Sequence, residues 1–275
     1  MRGMKDMALT EAVLPPQPRD YPSVNWVGLQ TLYVREVRRF IKVGMQTLAA
    51  PVVTALLYML VFVVAVGGGR EVHGVAYGTF VAPGLIMMQI LSNAFANSSS
   101  SLLQAKFNGL MGDFITPPLS PFEHLAGFGA GAATRGLFVG AISMLAVLPF
   151  ARLPAAEPWA ILYFGVGAAL IMGFLGIMAG LWAEKFDHMA AVTNFVIMPM
   201  TFLSGTFYLV EKLPEPFRTF SKFNPIFYLI DGFRYGFIGR AEGSLGVGMA
   251  MTAGLVLAFG WICYRMFKTG YKIKT

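Results

Sequence analysis

The sequence predicts an all-α integral membrane protein with six transmembrane helices, and three observations lead there. Of its 275 residues, 56% are hydrophobic and only 13% are charged, against about 25% charged in a soluble domain. The deficit is concentrated in runs of about 20 apolar residues, long enough to cross a bilayer as helices. The basic residues behind the net charge of +7 cluster just outside those runs, so a membrane surface accounts for them better than nucleic acid does. Besides the spans, the pattern gives an N-terminal interfacial helix, a short amphipathic helix after the second span, and a re-entrant helical segment before the last.

Residues 1–22 are polar and interrupted by Pro15, Pro16, Pro18 and Pro22, and read as a disordered tail. No apolar run follows its charges directly, which argues against a signal peptide. Residues 23–275 read as one transmembrane domain. Ser23 can cap a helix that runs to Lys42, in which Trp26, Tyr33 and Phe40 recur every seven residues with Leu29 and Val37 on the same side. Arg35, Arg38, Arg39 and Lys42 crowd its C-terminal half, where positive charge suits both the helix dipole and anionic headgroups. The plainer alternative is a solvated helix carrying aromatic filler.

The six spans fall at about 45–66, 77–99, 122–150, 159–183, 189–210 and 245–267, the fifth kinked at Pro199. An even number of spans places both termini on one side. Both are basic, with Arg265, Lys268, Lys272 and Lys274 at the C-terminal end, so both belong in the cytoplasm. Residues 211–243 are then external. They hold Lys212, Arg218, Lys222, Arg234 and Arg240, and two apolar pieces, Phe217–Phe223 and Ile226–Ile238, separated by Asn224-Pro225. Pieces that short do not span; they read as re-entrant or interfacial helices.

Between the second and third spans, Leu103, Phe107, Leu110, Met111 and Phe114 fall at i, i+4, i+7, i+8 and i+11, one stripe of a helix. Thr116-Pro117-Pro118 ends it, because proline lacks the amide and clashes with the preceding turn. Ser120, Pro121 and Glu123 then have the spacing of a capping box that starts the next helix. An amphipathic helix of this kind lies on lipid or inserts into a partner's groove.

Gly127 and Gly131, Gly136 and Gly140, and Gly176 and Gly180 are pairs four apart; such pairs let helices approach closely, within one chain or across a dimer seam. Arg135 is the one full charge well inside a span, about 20 Å along the third helix. It is read as a contact for cargo or a partner helix, or else as a side chain snorkelling to the interface. His73, His124 and His188 are scattered without metal-ligand spacing. No Gly-x-x-x-x-Gly-Lys-Ser/Thr phosphate loop occurs, so any nucleotide chemistry belongs to another chain. Cys263 stands alone and excludes an internal disulfide.

Several stretches together resemble the permease subunit of type-2 ABC exporters. They are Asn25–Phe40, Pro83-Gly84-Leu85-Ile86, Phe107 through Phe114 with Pro117–Pro121, Asn224-Pro225-Ile226, and Phe233–Phe237. The resemblance implies a pathway-forming subunit in the bacterial inner membrane that pairs with a second permease, as a homodimer, and with ATPase subunits. ATP and magnesium would be held there and no cofactor in this chain. It implies a coupling helix (Leu103, Phe107, Leu110, Met111, Asp113, Phe114) seated in the ATPase. Beside it would lie the N-terminal helix (Trp26, Tyr33, Arg35, Glu36, Arg38, Arg39, Phe40). The segment around Asn224, Pro225, Asp231, Arg234 and Tyr235 would cap the pathway from outside. The implied cargo is hydrophobic or amphipathic: a drug-like molecule, a lipid or a lipid-linked saccharide. One departure is that many relatives have a glutamate where this chain has Gly109–Gly112, the acid here being Asp113. An integral-membrane lipid-modifying enzyme, such as a transferase, is the alternative; it needs acids or histidines clustered at one face. A scaffold without transport is a third class.

Overall fold

The computed structural model describes residues 24–66, 69, 71–72 and 74–272, apart from the side chains of Gln46, Val66, Asp113 and Ile115. The tail at 1–22 and the cap at Ser23 lie outside the described residues. Helix α1 (Trp26–Lys42) starts instead at Asn25, whose side chain accepts the Gly28 N–H. Helix α2 (Gly44–Met59) carries Pro51 and continues as a π-helical turn, Leu60–Val66. Two-residue strands, Glu71–Val72 and Val75–Ala76, pair antiparallel. Then come α3 (Tyr77–Phe107), α4 (Gly112–Ile115), α5 (Pro121–Val147) and α6 (Pro158–Trp182). After them follow α7 (Phe186–Val192), a π turn (Thr193–Ile197) and α8 (Met198–Phe202). The chain ends with α9 (Phe217–Phe223), α10 (Pro225–Ile238) and α11 (Leu245–Thr269).

Among the described residues, five segments are long and apolar enough to cross a membrane: Thr47–Ala65, α3, α5, α6 and α11. They coincide with five of the six expected spans. The fifth, at 189–210, is instead built of pieces of seven, five and five residues. Pro199 is the physical reason. It has no N–H to return to the preceding turn, and the backbone widens into π geometry just ahead of it.

Helix α3 forms the axis, packed along α5 and α6 and touched by α10. The glycine pairs make this possible, inside the chain. A Cβ on Gly176 or Gly180 of α6 would meet α3 backbone, 2.5 Å from Phe95 O and 2.9 Å from Ser99 O. Gly136 of α5 presses on Ala94 and the Ile90 carbonyl, and Gly140 on the Ile90 side chain. Gly127 and Gly131 seat α1, beneath Leu32 and Glu36. Helix α1 runs alongside α5 from the Asn25–Glu123 contact to the Phe40–Phe138 ring pair. Its buried stripe is Leu32, Glu36 and Phe40, which corrects the heptad reading: Trp26 is 69% exposed and Tyr33 half-buried. The seam follows the four-residue step of the glycine groove rather than the seven-residue step of the aromatics. Helices α2 and α11 expose large apolar side chains, among them Val53, Leu57, Leu257 and Trp261, as surfaces that meet lipid or another chain do.

Candidate functional site

Three places gather the functional candidates. The first is the end of the bundle where α1 begins, α3 turns into α5, α6 turns into α7, and α11 stops; its lysines and arginines make it the basic end. Helix α3 closes there with a Schellman turn. Gly109 takes φ +68°, its N–H bonds Lys106 O at 3.1 Å, and the Leu110 N–H bonds Ala105 O at 2.8 Å. The expected continuous helix over 102–116 therefore does not form. Leu103 belongs to α3 and is fully buried, while Met111 and Phe114 fold back into the core at 8% and 6% exposure. Phe107 and Leu110 are left outward, 55% and 41% exposed. Phe107 stacks on the exposed Phe186 of α7, ring centroids 4.9 Å apart. The Asp113 side chain lies outside the described atoms.

This elbow is tied down from all sides. The capping box forms as read: Ser120 Oγ accepts the Glu123 N–H, and Glu123 accepts the Ser120 N–H at 2.6 Å. Glu123 also accepts the Asn25 N–H at 2.5 Å, so one carboxylate joins the starts of α1 and α5. His124 places Nε2 2.8 Å from Phe114 O and Nδ1 3.0 Å from Ser120 O. The Arg35 guanidinium lies 4.3 Å from the centre of the Phe114 ring. The last carbonyls of α6 are satisfied by lysines: Lys106 donates to Leu181 O and Ala183 O, and Lys272 to Trp182 O. Lys272 also pairs with Glu184 at 2.7 Å, a hydrogen bond that holds the Glu184 carboxyl below its ordinary range. Behind the elbow lies a cavity of about 210 Å³, bounded by Leu102, Met111, Phe114, His124, Phe128 and Phe267.

The second place is a polar seam between α1, α3 and α5. Gln89, Asn93, Asn97 and Ser101 are buried at every fourth position of α3. Glu36 is fully buried and accepts from Ser101 Oγ at 2.6 Å, Asn97 Nδ2 at 3.4 Å and Arg39 at 3.2 Å. Arg39 also donates to Ser100 Oγ, Asn97 O and Asn97 Oδ1. Arg135, half-buried, donates to Asn93 Oδ1 at 3.4 Å. The structure brings Arg135, Glu36 and Arg39 to one face of α3, whereas Arg38 points outward. The four polar residues of α3 were missed in the sequence reading; their i, i+4 spacing inside an apolar span was the available signal.

The third place is the opposite end, closed by α10. Asn224 and Pro225 begin that helix, as the break in the sequence suggested. The Asn224 side chain accepts the Ile226 N–H and donates to Met200 O and Ser204 Oγ. Helix α10 is buried on most of its surface, Gly232 lying against Phe164 and Gly236 against Ile161. Asp231 accepts the Glu242 and Gly243 N–H groups, both at 2.9 Å. Arg234, 2% exposed, donates to Phe80 O and Gly205 O, pairs with Glu242 at 3.3 Å and covers the Phe80 ring. Tyr235 meets Trp159 edge-on. Glu242, absent from the sequence candidates, also accepts the Val210 N–H. Burial pushes its carboxyl from 4.5 up to about 7, against the pull of Arg234.

Comparison with known proteins agrees with this architecture. The family described as ABC-2 type transporter matches residues 27–238. The inner membrane transport permease YadH of Escherichia coli K12 is 35% identical over 256 residues, covering 91% of this chain and 98% of its own. Nodulation protein J of Sinorhizobium fredii is 26% identical over 255 residues, 90% of this chain and 91% of its own. The Rhizobium leguminosarum bv. trifolii protein of the same name is 26% identical over 231 residues. A family match across most of the chain, near-complete alignment with a transport permease, and a bundle of long apolar helices lead to one conclusion: this chain belongs to the ABC-2 type transporter family and is a membrane subunit of an ABC transporter.

Proposed function

We propose that two copies of this chain, joined to two ATPase subunits that bind ATP and magnesium, form an export path through the bacterial inner membrane. The cargo is a hydrophobic or amphipathic molecule: drug-like, a lipid or a lipid-linked saccharide. The basic end and both termini face the cytoplasm. The Phe186–Phe202 segment and the residues after it make the sixth crossing, and α9 and α10 re-enter from outside.

The observation that carries this reading is the outward patch of Phe107, Leu110 and Phe186 on the basic end. Apolar rings left exposed on a turn that is otherwise fully bonded mark a surface completed by another protein. The ATPase contact is thus narrower than the stripe in the sequence suggested. Leu103, Met111 and Phe114 hold the elbow to the bundle, and Phe107 and Leu110 meet the partner. Helix α3 continues unbroken from Phe107 to Tyr77, a rod of about 45 Å. At its far end Phe80 O is held by Arg234. A push on the elbow, which has the cavity behind it to move into, is carried along α3 to the α10 end. The ATP site and the path are then the two coupled sites. A lipid-modifying transferase is disfavoured, because Glu36, Glu123 and His124 are each committed to hydrogen bonds within the fold.

Affinity purification of the tagged chain from native membranes, read by mass spectrometry, tests the reading. Recovery of a nucleotide-binding subunit, with ATP-driven transport in vesicles, is the expected result; a chain that purifies without one overturns it. Single-cysteine labelling in a Cys263→Ser background tests the orientation. Labelling of Asn108→Cys from outside by an impermeant reagent contradicts it.

A further inference from the structure

We propose that Arg135 and Arg39, gathered on the Asn93–Asn97 turn of α3, form a binding site for the oxyanionic headgroup, phosphate or carboxylate, of an amphipathic molecule. Among the described residues, three buried side-chain polar atoms lack a hydrogen-bond partner: Arg39 Nε, Arg135 Nε and Ser143 Oγ. Two of the three belong to these guanidinium groups. Arg39 reaches Asn97 Oδ1 at 3.0 Å and Arg135 reaches Asn93 Oδ1 at 3.4 Å, one helical turn, or about 6 Å, apart on α3.

The charges do not balance. Glu36 faces Arg39 at 3.2 Å, whereas Arg135 makes no ion pair among the described residues. A guanidinium has five N–H donors, and Arg135 commits one of them, at the long limit of a hydrogen bond. An unpaired cation inside an apolar helix is costly. A bidentate oxyanion supplies both the missing charge and the missing acceptors. Asn97 and Ser100 already hold Arg39 in place, so the cationic pair is organised before any anion arrives.

The neighbouring surface indicates what carries the oxyanion. Phe138, Ile142 and Leu145 follow Arg135 at i+3, i+7 and i+10, on the same face of α5. Phe138 and Leu145 are 46% and 63% exposed. A headgroup on Arg135 therefore continues into an apolar track that an acyl or prenyl chain can cover. Two sources share this chemistry: a resident anionic phospholipid, or the cargo. The proposal deepens the cargo reading above and rests on it only for the cargo source. Binding is measured on the permease alone, so its outcome is separate from that of the ATPase pull-down.

The experiment titrates purified protein in a neutral maltoside detergent with dodecyl phosphate, inorganic phosphate or dodecyltrimethylammonium, and reads binding by native mass spectrometry. The wild type binds dodecyl phosphate and not the cation. Arg135→Gln binds it at least about tenfold more weakly, a difference of roughly 1.4 kcal/mol, and Arg135→Lys falls between. Leu145→Gln, on an exposed position that leaves the fold intact, also weakens dodecyl phosphate. Phosphatidylglycerol retained by the wild type and lost from Arg135→Gln identifies the source as lipid; dodecyl phosphate binding with no such retained lipid identifies it as cargo. Equal binding of dodecyl phosphate by wild type and Arg135→Gln overturns the site. Inorganic phosphate that competes as well as dodecyl phosphate overturns the amphiphile.

Discussion

The two ends of this bundle are finished in opposite ways. At the basic end, charges serve as fasteners for backbone: Glu123 holds the first N–H groups of two helices, and Lys106 and Lys272 hold the last carbonyls of α6. Left outside are the apolar Phe107, Leu110 and Phe186, beside the exposed Glu184, Lys185 and Asp187. At the α10 end, the polar groups are turned inward. Arg234 and Glu242, with side chains 3% and 4% exposed, close a ring with Asp231 and the backbone of four segments. The contrast teaches that the two ends answer different demands. The α10 end satisfies its own hydrogen bonds internally, and its uncovered rings, Phe217, Phe220 and Phe223, lie on the neighbouring α9. The basic end is rigid yet leaves rings uncovered, as a docking surface must.

The largest expected effect breaks the self-contained end. Arg234→Leu leaves Glu242 without its cation and strips donors from Phe80 O and Gly205 O. Removing one member of a buried ion pair costs about 3–5 kcal/mol, a large part of the total stability of a domain. Arg234→Leu is expected to lower the melting temperature sharply or to prevent accumulation in the membrane. A variant that melts like the wild type would show that the ring is not a structural lock.

The next effect sharpens the docking end and separates residues that share one stripe in the sequence. Phe107→Ser removes an outward ring. If a partner covers it, the loss is roughly 1.5–3 kcal/mol of association, on the order of ten- to a hundredfold in affinity. The melting temperature of the isolated permease should stay unchanged. Phe114→Ser should do the reverse, destabilising the permease by about 3–5 kcal/mol as an emptied core site. Thermal melts paired with quantitative co-purification read both. Equal losses of partner affinity from the two variants, with stability unchanged, would restore the continuous coupling helix.

That separation marks where the sequence was legible and where it was not. Length and hydropathy are local properties, so α5, α6 and α11 could be read nearly to their ends, and α3 at its start, though it runs on past the expected 99 to Phe107. So could the Ser120–Glu123 box and the Asn224-Pro225 break. The stripe from Leu103 to Phe114 misled because its spacing assumes one unbroken helix. Gly109 turns the chain into left-handed φ, and the phase after it starts afresh. Asn108-Gly109 carried that warning. Glu36 was placed on the right helix, but its burial depends on Asn97 and Ser101, some sixty residues away, and no local pattern announces such partners. Glu242 was invisible for the same reason: it sits in a short loop, and only Arg234, Asp231 and the Val210 N–H make it part of a site. The broken Phe186–Phe202 segment had the composition of a span without the regularity of one.

The smallest expected effect is a slope with pH, again confined to the α10 end. Glu242 lies in the loop between α10 and α11, and burial raises its carboxyl from 4.5 to about 7. A carboxyl raised on folding binds its proton more tightly in the folded state than in the unfolded one. Its contribution is therefore fully present below about 4.5 and is lost as pH rises through about 7. Burial fixes the sign, and the groups facing the carboxyl pull both ways. Arg234 favours the ionised form, while Asp231 and Glu211 oppose it along with burial. Over pH 5–8 the melting temperature of the wild type should fall as this carboxyl ionises, and Glu242→Gln should remove that part of the fall. At low pH the glutamine variant should resemble the wild type, because its amide is close in shape to the neutral acid. The basic end supplies the internal control: Glu184, exposed and paired with Lys272, has its carboxyl shifted downward, so Glu184→Gln should leave the slope over pH 5–8 in place. If Glu242→Gln melts in parallel with the wild type across the whole range, the carboxylate is ionised throughout, and the ring is held by charge rather than by a shared proton.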